Sequence, residues 1–113
     1  MDLYEELQIK IRQLDASIKT LRRSGTDYAE AERAYKVKLR EECLKLRDAG
    51  MAIGMIDKTA YGIQSVADLR FQRDVAECVY KANLEAINSI KLQLRLLENQ
   101  IQREYGAAGK GDL

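Results

Sequence analysis

The chain has 113 residues and almost balanced charge, with 19 Lys and Arg side chains against 18 Asp and Glu. This length favours a single domain. Because the charges nearly cancel, no overall basic field would hold nucleic acid, and an electrostatic partner must be met by a local patch. The sequence has no proline, which suits long helices, and no histidine, the commonest acid–base side chain and a common metal ligand.

No set of residues in the sequence predicts catalysis. Neither a GxxxxGK[ST] loop nor a GxGxxG motif occurs, and Cys43 and Cys78 are too far apart for a zinc motif, which indicates reduced thiols. We therefore predict no enzymatic activity, no cofactor and no metal site. The start "MDLYEELQIK" does not resemble a signal peptide, and no apolar run approaches the roughly 20 residues of a membrane helix. We predict a cytoplasmic protein without membrane contact.

Apolar residues at alternating spacings of three and four predict a first helix over residues 3–23. We expect Ser24-Gly25 to end it, because glycine readily takes the left-handed conformation of a helix C-terminus. Asp27 and Glu30 have the spacing of a capping box and predict a second helix over 27–49, ending at Gly50.

The second predicted helix carries a basic and apolar stripe away from its core face. Apolar anchors flanked by cations are typical of interaction surfaces, so we take this stripe as a candidate partner-binding site. The alternative interpretation is a solvated helix face with ion pairs along the helix. The stripe consists of Arg33, Lys36, Val37, Arg40, Leu44 and Arg47.

Residues 50–64 form the predicted joint before the last helix, with a short helical turn around 55–61. Its apolar residues would close the end of a bundle, and we add Met51, Met55 and Tyr61 to the candidate partner site because methionine adapts to irregular partners.

The stretch "LRDAGMAIGMIDKTAYGIQSVADLR" also imitates a DNA-binding helix-turn-helix. However, the spacing before Gly62 is one residue longer than in the usual motif, and the spacing after it is shorter. The would-be recognition helix offers Asp68 in its first turns, where a phosphate would be repelled, and Arg70 and Arg73 only later. DNA binding by residues 46–70 therefore remains an alternative prediction.

The third predicted helix, over 65–105, contains no helix breaker and has two apolar faces. One face carries Phe71, Val75, Cys78, Ala82 and Leu96, and we expect the first two helices to cover both faces. Because this helix is about twice as long as the other two, one end would stay bare, and we predict a homodimer that pairs long helices. The candidate oligomer seam consists of Asn83, Ile87, Ile90, Leu94, Leu97 and Ile101.

Together these patterns predict an all-α fold, a helical hairpin packed on one long C-terminal helix as a three-helix bundle or coiled coil. Residues 1–105 would form a single dimeric domain, and the tail 106–113 would be disordered.

Four stretches carry a family resemblance over nearly the whole chain: "SGTDYAEAE", "LKLRDAG", "VADLRFQRDVAECVY" and "NLEAINSIKLQLRLLENQIQREYG". They resemble a family of small helical proteins of uncertain function encoded by temperate phages and prophages of Firmicutes. The resemblance implies an early gene near replication and recombination functions, in a bacterial host cell, and supplies no catalytic residues. The joint "MAIGMIDKTAYG" departs from the family, whose members we expect to contain more proline and acidic residues there.

The function predicted from these observations is non-enzymatic. We expect a phage-type interaction protein that binds and modulates a host or defence factor, or a phage replication or recombination protein. The alternatives are a DNA-binding protein using the helix-turn-helix-like segment and a purely structural coiled-coil oligomer.

Overall fold

The computed structural model describes the backbone of residues 2–111 and the side chains of residues 2–106. That part of the chain contains three helices and no strand: α1 is Leu3–Asp48, α2 is Ile53–Tyr61 and α3 is Gln64–Gly111. The predicted all-α class is confirmed, and α1 packs along the long α3. At its start, the backbone N–H of Glu5 donates to a carboxylate oxygen of Asp2 at 2.8 Å, which caps α1.

Helix α1 continues through Ser24 and Gly25, so the predicted hairpin of helices 3–23 and 27–49 is wrong. Leu21, Gly25 and Tyr28 keep the three-four spacing of the core face, so the pattern stays in phase across the glycine. A Cβ added to Gly25 would lie 3.4 Å from the Tyr80 ring, which shows how closely the two helices approach there. One glycine costs a helix only about 1 kcal/mol, and packing of the continuous face outweighs it.

The helix lengths also differ from the prediction. Helix α1 has 46 residues and α3 has 48, so the length mismatch from which we predicted a dimer is absent. Helix α3 extends past its predicted end at Tyr105, and residues 106–111 are helical where we predicted a disordered tail. Residues 112 and 113 of that predicted tail lie outside the described residues.

The end of α1 at Gly50 is as predicted. Gly50 has a φ of 89°, a conformation that favours glycine. Its N–H donates to the carbonyl of Arg47 at 3.0 Å, and the N–H of Met51 donates to the carbonyl of Leu46 at 3.1 Å. These two bonds form a Schellman motif, which satisfies the last carbonyls of the helix.

Helix α2 occupies most of the predicted joint. Ile56 and Ala60 are four residues apart on one side of this nine-residue helix, and they are 8% and 0% exposed. Burial of that side fixes α2, since so short a helix is not stable alone in water.

The chain divides into two compact units, and the first comprises Met1–Arg22 and Ala82–Leu113. In it the start of α1 runs antiparallel to the end of α3, and the rings of Tyr4 and Tyr105 meet edge to face at 6.3 Å. Ile87 is its buried apolar residue, at 5% exposure.

The second unit, Arg23–Lys81, contains parts of α1 and α3 and the whole of α2. Val66 and Ala60 are fully buried, and Ile56 and Tyr35 are nearly so. All the candidate partner-binding residues lie in this unit.

Candidate functional site

The predicted partner-binding stripe forms one outward row on α1. Arg33, Val37, Arg40, Leu44 and Arg47 are spaced by four and three residues, which puts them on a single side of the helix. Val37 is 54% exposed and the three arginines are exposed, while Leu44 is half-buried. The continuous helix therefore alternates cationic and aliphatic side chains along about four turns.

The cations of this row differ in how they are paired. Lys36 lies 3.5 Å from Glu32, and Arg47 lies 3.9 Å from its neighbour Asp48. Among residues 2–106, no acidic side chain lies within ion-pair distance of Arg33 or Arg40. These two guanidinium groups, on either side of Val37, are therefore available to a partner's carboxylates.

Acidic side chains beside the stripe are held by lysines of the same helix. Glu42 lies 3.3 Å from both Lys38 and Lys45. Its pKa is lowered, chiefly by the hydrogen bond from Lys45. Glu42 is thus engaged by lysines and not by the arginines of the stripe.

The joint residues of the candidate site differ in their exposure. Met51 is half-buried directly after Gly50, whereas Met55 is 54% and Tyr61 43% exposed. The Arg70 guanidinium lies over the Tyr61 ring, 5.3 Å from its centroid. The most exposed apolar side chain of α2 is one the prediction omitted, Ile53, at 86%.

A tyrosine and arginine cluster joins the three helices of this unit, and the sequence prediction missed it. The Arg73 guanidinium lies 4.7 Å from the centroid of the buried Tyr35 ring. Arg73 also lies 2.8 Å from Asp74 and 4.0 Å from Glu32. Burial raises the pKa of Tyr35, and a hydrogen bond with Tyr61 raises it further. The cluster stabilises the fold and leaves little freedom to Arg73.

The signal for this cluster was present in the spacing. Leu69, Arg73, Ala76 and Tyr80 continue the same three-four pattern as the apolar residues further along α3. Arg73 therefore occupies a core-facing position of the helix, where only 22% of its side chain is exposed. A cation at a core-facing position of a helix predicts specific neighbouring groups within the fold, because an unpaired buried charge is costly.

The predicted oligomer seam of α3 lies against α1 in the same chain. Ile87 is buried, and Asn83, Ile90, Leu94, Leu97 and Ile101 are half-buried. Leu97 lines a groove with Ile9 of α1, and Ile101 lines another with Leu3 and Tyr4. These residues therefore contribute to the packing of the first unit, and their pairing of two chains stays a prediction.

The segment that imitates a DNA-binding motif does have a helix, a turn and a helix, since α2 is followed by Gly62-Ile63 and α3. Its polar side chains contact each other, however. The Gln64 amide donates to a carboxylate oxygen of Asp68 at 2.7 Å, while Arg70 and Arg73 lie over tyrosine rings. Residues 23–81 carry 11 Lys and Arg against 10 Asp and Glu, so the unit has no marked basic charge.

No family model, curated protein or solved structure matches the chain. Among the residues that the structure describes, none of the helices has an apolar stretch long enough to cross a membrane.

Proposed function

We propose that the protein is a non-enzymatic interaction module that binds another protein through the basic and apolar stripe of α1. The observation that supports this most strongly is the exposed row in which Arg33 and Arg40, without acidic partners among residues 2–106, flank Val37. Arginines around an aliphatic anchor are favoured in protein interfaces, and their charge favours an acidic partner surface.

The partner class rests on the family resemblance alone. It suggests a host or defence factor, or a phage replication or recombination protein, met in the cytoplasm of a bacterial host cell. Met55 and Tyr61 are exposed enough to extend the contact, and Met51 is half-buried.

A pull-down from a lysate of a bacterial host tests the proposal. The tagged wild-type chain should return a stoichiometric partner, and Val37→Glu with Leu44→Glu should lose it while keeping helical circular dichroism. Because Leu44 is half-buried, Arg33→Glu with Arg40→Glu provides a second variant that changes only exposed side chains. Leu92→Glu is the matched control, since Leu92 is as exposed as Val37, at 54%, but lies in the first unit. Equal recovery with all variants, or no partner with the wild type, would contradict the proposal.

DNA binding through residues 46–70 remains the second candidate, favoured by the helix-turn-helix arrangement of α2 and α3. It predicts a mobility shift at roughly 0.15 M salt that weakens with added salt and with Arg70→Ala or Arg73→Ala. No binding to single-stranded or double-stranded DNA would exclude it. If the chain is only a structural coiled coil, Val37→Glu with Leu44→Glu should instead unfold it or change its mass.

A further inference from the structure

An apolar face of α3 is uncovered in the second unit. Phe71, Val75 and Val79 are 68%, 46% and 49% exposed, and Cys78 between them is exposed too. We predicted that the first two helices would cover both apolar faces of α3, but α1 is one continuous helix, and it meets α3 where Gly25 lies beside the Tyr80 ring. Clustered apolar side chains of this size on a surface usually mark an interaction site.

The uncovered face has the shape and spacing of a helix-pairing seam. Phe71, Val75 and Cys78 are spaced by four and three residues, as in a coiled coil. Beside them runs a groove of about 270 Å³, lined by Phe71, Val75 and Val79 together with Ser24 and Asp27 of α1. The exposed acid Asp68, one step before Phe71 in the same pattern, ends the apolar row.

We propose that a second copy of this chain covers this face, with the two α3 helices antiparallel across residues 71–81. In an antiparallel pair centred between Val75 and Cys78, each Val75 faces Cys78 of the second copy. At each end of the pairing, Phe71 of one copy lies opposite Ala82 of the other. Large and small side chains then alternate across the seam, which is how helix interfaces fill space.

Charge complementarity fixes both the partner and the orientation. In this register Asp74 of each copy lies beside Lys81 of the other, so the two-fold arrangement makes the same pair twice. Both side chains are accessible, at 56% and 69% exposure, although they also contact Arg73 and Glu77 of their own helix. A parallel pair would place Asp74 beside Val79 and gain neither contact. Because this face of α3 carries the apolar row and both members of the charge pair, it is complementary to the same face of a second copy.

The first test is mass against concentration by analytical ultracentrifugation. Helices meeting over about 17 Å, roughly 11 residues at 1.5 Å each, bury less than a standard interface, so the series should reach roughly 1 mM. The wild type should pass from monomer to dimer, and Val75→Glu should stay monomeric. Val37→Glu is the matched control, since it places the same change at a similarly exposed valine on α1 and should still dimerise. A wild type that is monomeric throughout, or dimers of Val75→Glu, would overturn the proposal.

Charge reversal tests the antiparallel register. Asp74→Lys and Lys81→Asp should each weaken dimerisation by about tenfold at low salt, because each places like charges together twice. The double variant should recover most of the wild-type affinity. If the double variant is as weak as the single ones while circular dichroism is unchanged, the antiparallel register is wrong.

This proposal is independent of the partner-binding stripe. Val75→Glu should still return the partner in the pull-down, and the Val37→Glu, Leu44→Glu double variant should still dimerise.

Discussion

Two glycines, one inside α1 and one just after its end, have the same predicted role but different structural roles. Gly25 and Gly50 were each predicted to end a helix, yet only Gly50 does, with a φ of 89°. Gly25 is helical and presents its missing side chain to the Tyr80 ring. The difference shows that glycine permits a helix end without requiring one, and that the surrounding contacts decide.

The contacts around each glycine explain the outcome. After Gly50 the chain makes both hydrogen bonds of a Schellman motif and then turns into α2. After Gly25 the core-facing pattern continues with Tyr28, whose ring lies 5.9 Å from that of Tyr80. Packing on α3 thus extends through the glycine, and helix stability in proteins comes mostly from such packing.

The largest expected effect is from proline at position 25. Gly25 lies inside a continuous helix, where proline removes a backbone hydrogen bond and clashes with the preceding turn. We expect a loss of about 3 kcal/mol or more in the free energy of unfolding, measured by urea denaturation.

Ala52→Pro is the control for this substitution. Ala52 precedes α2 with a φ of −61°, which proline adopts without strain. Its stability should stay within about 1 kcal/mol of the wild type. Equal losses at positions 25 and 52 would mean that proline acts here through something other than the continuity of α1.

Much of the fold was predictable, because long helices with a regular apolar pattern give the clearest sequence signal. The end at Gly50 and a short helix in the joint were predicted from local residue types. The continuity of α1 was not, because Gly25 and the Asp27–Glu30 spacing are local stop and start signals, and only the unbroken phase from Leu21 to Tyr28 contradicted them. The unbroken pattern stabilises the helix only because this face contacts Tyr80, which is distant in the sequence.

The second effect is from Gly50→Ala. A left-handed conformation strains any residue with a Cβ, and nothing lies within 4 Å of the added atom to compensate. We expect the free energy of unfolding to fall by about 1–2 kcal/mol in urea denaturation. Gly50→Asn should lose less, since asparagine tolerates this conformation better; an unaffected Gly50→Ala would mean that the helix end can rearrange.

A smaller effect on the free energy of unfolding is expected from the hydrogen bond between Tyr35 of α1 and Tyr61 of α2. Tyr35→Phe removes the hydrogen bond with Tyr61 but keeps the ring under Arg73. We expect a loss of about 1 kcal/mol by urea denaturation near neutral pH. Tyr105→Phe is the control, because the ring of Tyr105 is 61% exposed and its partner Tyr4 is exposed as well; its stability should equal that of the wild type.

The same variant predicts a pH dependence. Burial, and then the bond with Tyr61, raise the pKa of Tyr35, so the folded state holds the phenolic proton more tightly than the unfolded state. This contribution to stability is present below about pH 10, the ordinary tyrosine value, and is lost as the pH rises through the raised pKa. Stability should therefore fall less steeply above pH 10 in Tyr35→Phe than in the wild type; parallel curves would contradict the assignment.

Less of the candidate site than of the fold was predictable. The stripe from Arg33 to Arg47 follows from helical spacing alone, so the structure places it as the sequence did. The arrangement of Tyr35, Tyr61 and Arg73 depends on three helices meeting, and propensity or spacing within one helix does not specify such contacts. The uncovered face around Phe71 was missed for the same reason, since its exposure follows from the continuity of α1.

The smallest effect returns to Gly25. Gly25→Ala gains helix propensity of about 1 kcal/mol, because alanine loses less backbone freedom than glycine. Its Cβ would lie 3.4 and 3.7 Å from two carbons of the Tyr80 ring, so a slight shift of the ring takes back part of that gain. We expect a net stabilisation of about 0.5 kcal/mol in urea denaturation, opposite in sign to Gly50→Ala. A loss as large as that of Gly50→Ala would show that position 25 needs glycine for its conformation. A loss only with the bulkier Gly25→Leu would show that it needs glycine for its size, which is what a core-facing position beside a tyrosine ring requires.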